Sequence, residues 1–142
     1  MANKDIEKYE NYKDQISKLN KAIDNKFYYE AIFIEYAIME DRLQSVLTYL
    51  DAYNPKKQKT MHQKLNQISS LIENNNATIG DSISTDLITK IMDWKNERNN
   101  LIHGLLSEKP SNEGIIECAT TGFNLVRKID NAVDKVKRKT TS

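Results

Sequence analysis

The sequence predicts an all-α fold, an up-and-down bundle of about five helices with a long, apolar central helix. Apolar residues recur at helical spacing in five separate stretches, and no stretch alternates as a strand does. Hydrophobic residues make up 39% of the chain and charged residues 29%, with only two prolines and four glycines. At 142 residues the chain is most simply one domain, 1–142, with frayed ends at about 1–3 and 138–142.

Composition and charge exclude several classes of protein. The chain has no apolar run of about 18 residues and no hydrophobic segment typical of a signal peptide near Met1, so we expect a cytoplasmic protein without membrane contact. Cys118 is alone and the acidic residues lack ligand spacing, so we expect no metal and no cofactor. A net charge of +1 argues against a dedicated duplex-DNA binder but leaves a local RNA groove open.

The first two helices are predicted over about residues 4–22 and 26–53. Asp24-Asn25 separates them and offers an N-cap to the second helix, and Asn54-Pro55 ends the second, because proline disfavours helix in the residue before it. Residues 27–39 have almost no polar face, and a helix that is apolar all round is central or has two partners. In so small a domain, we expect the second partner to be another copy of the chain.

Glu35 is the odd residue in this apolar stretch, because its carboxylate is enclosed by apolar side chains. One interpretation is that Glu35 pairs with a buried cation or reaches solvent at a groove. The other is that it orients Arg98 or His103, as carboxylates behind catalytic groups do. The two interpretations overlap, because Arg98 is the obvious buried cation.

The third helix begins after a basic loop at residues 56–59, and Thr60 can cap it. It extends to about residue 73, with His62 exposed at its start. Residues 74–81 are polar and are predicted to form a loop.

Ser84, Thr85 and Asp86 cap the fourth helix, in which Arg98 lies in line with the apolar stripe. A guanidinium there is costly unless an anionic or hydrogen-bonding group meets it. Gly104 suits a left-handed C-terminal position, so we expect the helix to end or bend there. The residues of this stripe are spaced alternately four and three positions apart, and they are Leu87, Ile91, Trp94, Arg98, Leu101 and Leu105.

One turn of this helix carries three chemically useful side chains. Asn99 and His103 are four apart and share a face beside Arg98, which together gives a charge stabiliser, an orienting group and a proton-transfer group. Arg98 and His103 are five apart, about 140° on an ideal helix. They converge on one phosphate only if the backbone turns or a second subunit supplies one of them.

After a loop at residues 107–110, Ser111 or Asn112 caps a fifth helix that ends in cations, which suit the helix dipole. The side chains predicted to face inward are Ile115, Ile116, Ala119, Phe123, Val126, Ile129, Val133 and Val136.

Arg98-Asn99 followed by His103 resembles the R-polar-x3-H signature of HEPN domains. These are small all-helical modules, and many are metal-independent RNases of toxin–antitoxin, abortive-infection and CRISPR-associated systems. The resemblance covers the motif closely and the helical order loosely, over about residues 26–138. It implies RNA as substrate, a homodimer with a composite cleft, and an antitoxin protein as a possible partner. Leu105 stands where antitoxin-paired members often have the tyrosine of His-x-Tyr, so regulation through that tyrosine is not implied.

The expected function is a metal-independent endoribonuclease of a defence or toxin–antitoxin system. The 2′-hydroxyl of RNA can attack the adjacent phosphate, so the enzyme needs proton transfer and charge stabilisation. His103 would transfer protons, Arg98 would stabilise the phosphate, Asn99 would orient, and Glu35 would assist.

The alternative is a non-catalytic HEPN-like helical dimer that binds RNA, a nucleotide or another protein. Arg98 would then pair with Glu35 as a buried structural pair, and His103 would stabilise the helix end. A catalytic pair should line an open, positive groove, whereas a structural pair should be closed.

Overall fold

The computed structural model describes residues 2–57, 59–74, 79, 82–107 and 111–141. The predicted all-α bundle of five helices is confirmed, and no strand occurs among these residues. The loop predicted at 74–81 falls mostly outside the described residues, as does most of the loop at 107–110. The helices are α1 (Ala2–Asp24), α2 (Tyr28–Tyr49), α3 (Met61–Glu73), α4 (Thr85–His103) and α5 (Asn112–Thr141).

α2 is the central helix, since it packs against α1 and α3 and most extensively against α5. α2 and α5 run in the same direction, because Glu35 lies against Gly122 and Arg42 lies near Asp130. α4 runs antiparallel to α5 and also contacts α3. The residues with the largest fully buried apolar side chains are Leu19, Met39, Leu43, Leu47, Met61, Leu65, Ile68, Ile79, Ile83, Ile91 and Ile129.

α1 ends in a Schellman motif. Lys26 has a φ of 62°, and the backbone N–H of Phe27 donates to the carbonyl of Ala22 at 2.8 Å. The N-cap predicted at Asp24-Asn25 is wrong: Phe27 precedes α2 and makes no side-chain cap, while the Asn25 amide donates back to a carbonyl of α1.

α2 ends in the same way and earlier than predicted. Asp51 has a φ of 57°, and the N–H of Ala52 donates to the carbonyl of Leu47 at 2.8 Å. α2 therefore stops at Tyr49 rather than at Asn54-Pro55, because the left-handed residue satisfies the last carbonyls locally. α2 has 22 residues and α5 has 30, so the central helix is shorter than α5.

The side-chain caps of α3, α4 and α5 are confirmed. Thr60 forms a capping box with Gln63, the Ser84 hydroxyl accepts from the N–H of Leu87 at 3.0 Å, and that of Ser111 accepts from the start of α5. α5 continues to Thr141, beyond the point at about residue 138 where fraying was predicted.

Gly104 does not adopt the left-handed conformation expected of it. Its φ is −85° and its ψ is −2°, so the backbone stays right-handed. α4 nevertheless ends at His103 with Gly104 as its C-cap, so the end predicted there is confirmed. Among the described residues, no helix combines the length and the apolar character needed to cross a membrane.

Candidate functional site

Arg98 is held against α2 by an aromatic ring. Its guanidinium carbon lies 4.1 Å from the ring centroid of Tyr36, and Nη1 donates to Oδ1 of Asn99 at 3.0 Å. Its Nε is buried and has no hydrogen-bond partner among the described residues. This half-buried cation therefore contacts an aromatic ring and a neighbouring amide rather than a carboxylate.

His103 is exposed at the last residue of α4. Because the helix is continuous from Arg98 to His103, their side chains leave it about 140° apart. Arg98 and Asn99 are in direct contact, whereas Arg98 and His103 start from different faces of the helix.

Glu35 lies in a different place from the one expected. It is 0% exposed, and neither carboxyl oxygen has a hydrogen-bond partner among the described residues. The ion pair with Arg98 expected from the sequence is therefore not formed, and Glu35 does not bond to His103 either. The next residue on α2, Tyr36, is the one that contacts Arg98.

The carboxyl group of Glu35 occupies the space that Gly122 leaves on α5. A Cβ at Gly122 would overlap with this carboxyl and would lie 2.9 Å from Nε1 of Trp94. Nε1 of Trp94 in turn donates to the carbonyl of Cys118 at 2.9 Å. The absence of a side chain at Gly122 thus lets α2, α4 and α5 approach one another closely.

Sequence reasoning missed the role of Gly122. A signal was present, because a glycine inside an otherwise helical pattern costs about 1 kcal/mol relative to alanine and indicates close packing.

Burial changes the acid–base properties of this region. It raises the pKa of Glu35 to about 9, so the carboxyl is protonated at neutral pH. Burial also raises the pKa of Cys118 to about 12, which makes the thiol unreactive. Neither group is a general base or a nucleophile in this environment.

Large apolar side chains are exposed beside the motif. On α2, Tyr29 and Phe33 precede Tyr36 on the same face, and Phe33 is 70% exposed. Because α2 and α4 are antiparallel, these two rings lie alongside the residues that follow Arg98. We call the set of Tyr29, Phe33, Ile102, Leu105 and Leu106 the apolar patch.

Two further apolar side chains are exposed at the same end of the bundle, where α2 and α5 begin. They are Phe27 and Ile116, and the prediction that Ile116 faces inward is wrong, since it is 40% exposed. Monomeric proteins rarely leave so many large apolar groups together in water, so this end of the bundle is a candidate interface.

An open cavity of about 670 Å³ lies between α4 and α5. Lys90 and Lys128 line one part of it, and Glu97 and Glu117 line another. Arg98, Asn99 and His103 do not line this cavity. Among the described residues, no group of His, Cys, Asp and Glu side chains is arranged to hold a metal ion.

Comparisons of the chain with protein-family models, with curated proteins and with solved structures found no match. The contacts of Arg98, the exposure of His103 and the apolar patch are therefore the observations on which a function can be argued.

We predict that Glu35 makes the protein less stable as the pH rises. The unfolded carboxyl ionises above its ordinary pKa of 4.5, whereas the folded one stays neutral up to about 9. The free energy of unfolding should therefore fall between pH 5 and 9, by at most about 1.4 kcal/mol per pH unit from this group. Urea denaturation of Glu35→Met across this range should show a flatter profile of stability against pH and greater stability at pH 8.

The control is Glu30→Gln, which replaces an exposed carboxylate of α2 and should keep the wild-type slope of stability against pH. An unchanged slope in Glu35→Met would contradict the assignment.

We also predict that Gly122→Ala destabilises the protein, despite the better helix propensity of alanine. The added methyl group should cost about 1–3 kcal/mol through overlap with the Glu35 carboxyl. Shortening that side chain in Glu35→Ala should remove most of this cost, so a double-mutant cycle should show strong coupling. Gly114→Ala is the matched control, because a Cβ there meets only the Ser111 hydroxyl at 3.2 Å and one leucine methyl at 3.9 Å. Additive effects of the Gly122 and Glu35 substitutions would rule out the proposed fit.

Proposed function

We propose that the chain is a HEPN-like, metal-independent endoribonuclease of a defence or toxin–antitoxin system. In this proposal it is a homodimer, and RNA is cleaved in a cleft composed of residues from both protomers. The observation that carries the proposal is Arg98, held over Tyr36 within one and a half turns of an exposed histidine and beside the apolar patch.

The environment of Arg98 suits a group that stabilises developing charge. Stacking on Tyr36 and the bond to Asn99 restrict the guanidinium before any substrate binds, so less conformational entropy is lost on binding. A fixed cation aimed at a phosphate stabilises a phosphorane-like transition state better than a mobile one.

His103 supplies the proton transfer. An exposed imidazole can accept the proton of the 2′-hydroxyl or donate one to the leaving 5′-oxygen. In-line cleavage benefits from both an acid and a base, and one chain has one motif histidine. A two-fold dimer provides the second.

The continuous α4 helix makes the dimer necessary in this proposal. Since Arg98 and His103 diverge by about 140° on one helix, Arg98 of one protomer acts on the same phosphate as His103 of its partner. Burying the apolar patch against its own two-fold copy brings the ends of the two α4 helices together. An antitoxin protein would act by covering the same cleft.

Glu35 takes no direct part in this proposal. It is fully buried and contacts neither Arg98 nor His103, so it acts only by fixing α2 against α5 and thereby placing Tyr36 beneath the arginine.

The second candidate is a non-catalytic HEPN-like dimer that binds RNA, a nucleotide or another protein. It is favoured by one observation: no carboxylate bonds to His103 among the described residues, so nothing fixes its tautomer as in many catalytic histidines.

We expect the folded wild type to cleave single-stranded RNA in the presence of EDTA, and His103→Ala and Arg98→Ala each to lose at least about 100-fold in rate. Cleavage is followed on a labelled RNA by gel, and circular dichroism confirms that each variant is folded. Retention of the wild-type rate by His103→Ala would show that the catalytic assignment is wrong. The absence of cleavage by all three proteins would favour the binding module.

Mixing the two inactive variants tests the composite cleft directly. A mixed dimer pairs the one remaining Arg98 with the one remaining His103, which lie on different protomers, so an equimolar mixture should recover measurable cleavage. The recovered rate should be at most about a quarter of the wild-type rate, because about half of the dimers are mixed, each has one such pair instead of two, and the second histidine is missing. A site contained within one chain would give no recovery.

The apolar patch predicts the oligomeric state. Phe33→Glu should convert a dimer into a monomer in size-exclusion chromatography with light scattering, since a buried unpaired charge is costly at an interface. Ile6→Glu is the control, because Ile6 is 56% exposed on α1, outside the patch. A wild type that is monomeric at high micromolar concentration would contradict the prediction.

A further inference from the structure

A polar surface lies along α1 and shares no residue with the motif of Arg98, Asn99 and His103. An open cavity of about 490 Å³ is lined by α1 from Tyr9 to Asn20 and by Val126, Arg127 and Asp130 of α5. A neighbouring cavity of about 520 Å³ continues from Tyr9 and Tyr12 to residues of α2 and to the end of α5. We call these two cavities together the α1 groove.

Cationic side chains lie over aromatic rings in and beside the α1 groove. The ring of Tyr9 is 60% exposed, and the Lys13 ammonium lies 5.0 Å from its centroid. The guanidinium of Arg42 lies 4.7 Å from the centroid of Tyr12, and that of Arg127 lies 4.9 Å from Phe123. The groove therefore alternates flat apolar surfaces with positive charge over its length.

The lining of the α1 groove has more cations than carboxylates. Its lining includes Lys8, Lys13, Arg42, Arg127 and Lys137. The carboxylates that pair with these cations or act on Tyr12 are Asp41, Asp130 and Asp134.

We propose that the α1 groove binds single-stranded RNA at a site separate from the Arg98–His103 cleft. Unpaired bases stack on the open face of Tyr9, and phosphates lie against Lys13 and Arg127 at the edges of the groove. The strand is single because only an unpaired base presents its face to a tyrosine ring. A duplex would need a stronger positive field than a chain with a net charge of +1 provides.

The dimensions and the lining fit this ligand. The part of α1 from Lys8 to Asn20 is about 18 Å long, enough for a short segment of extended strand. Ser17 and Asn20 add hydroxyl and amide groups beside the rings, suited to sugar and phosphate oxygens. An apolar partner helix would offer no polar group to Ser17, Asn20, Lys13 or Arg127, so RNA is the better match.

The test is fluorescence anisotropy with the full chain and a fluorescein-labelled 2′-O-methyl oligouridine of about twelve nucleotides. The 2′-O-methyl group blocks attack on the phosphate, so binding is measured whether or not the protein cleaves RNA. Failure of the proposed nuclease activity therefore leaves this test unaffected.

We expect the wild type to bind the oligonucleotide with an affinity that falls as salt is added. Tyr9→Ala should weaken binding by about tenfold, because one stacked base is lost, whereas Tyr9→Phe should bind as the wild type does. Lys13→Gln should weaken binding and reduce the salt slope by about one. Lys18→Gln, another exposed lysine of α1 that pairs with Asp14 and does not line the groove, is the matched control and should bind as the wild type does.

Three results would overturn the proposal. They are no binding of the oligonucleotide by the wild type, equal affinity in Tyr9→Ala, and equal losses in Lys13→Gln and Lys18→Gln. Circular dichroism confirms folding, and because Tyr9 and Lys13 are exposed, neither substitution opens the core.

Discussion

The packing of three helices depends on one carboxyl group that fills the space above a glycine. Glu35 of α2 lies against Gly122 of α5, and the indole of Trp94 from α4 closes the same region through its bond to Cys118. The next residue of α2, Tyr36, lies under Arg98. The fit between α2 and α5 therefore sets the position of the ring that holds the arginine, although the carboxyl itself never reaches it.

This arrangement has an energetic cost. A carboxyl without hydrogen-bond partners in the core is tolerated because it is protonated, which removes the far larger cost of a buried charge. An apolar side chain of the same length would fill the space at lower cost. A buried polar group also disfavours other registers of α2, in which the carboxyl would meet leucine and isoleucine side chains instead of the gap at Gly122.

The surfaces of the bundle divide by chemistry. The apolar patch lies where α2 begins and α4 ends, whereas the α1 groove combines tyrosine rings with lysine and arginine side chains. The two share no residue, so in the proposed dimer the patch is covered while Tyr9 and Lys13 stay open to solvent. A separate RNA-binding surface would hold a substrate near the proposed cleft.

Local signals in the sequence determined the five helices and the starts of three of them. Thr60, Ser84 and Ser111 cap α3, α4 and α5 as predicted, because a side-chain cap depends only on the next three residues. The spacing of Arg98, Asn99 and His103 likewise follows from helix geometry alone. The tertiary structure decided which side chains meet between helices. Charge complementarity suggested that Glu35 pairs with Arg98. In the register that α2 adopts against α5, the Glu35 carboxyl lies against Gly122 instead, and Arg98 contacts the ring of Tyr36. That register is fixed by the combined packing of many distant side chains, which no local pattern contains.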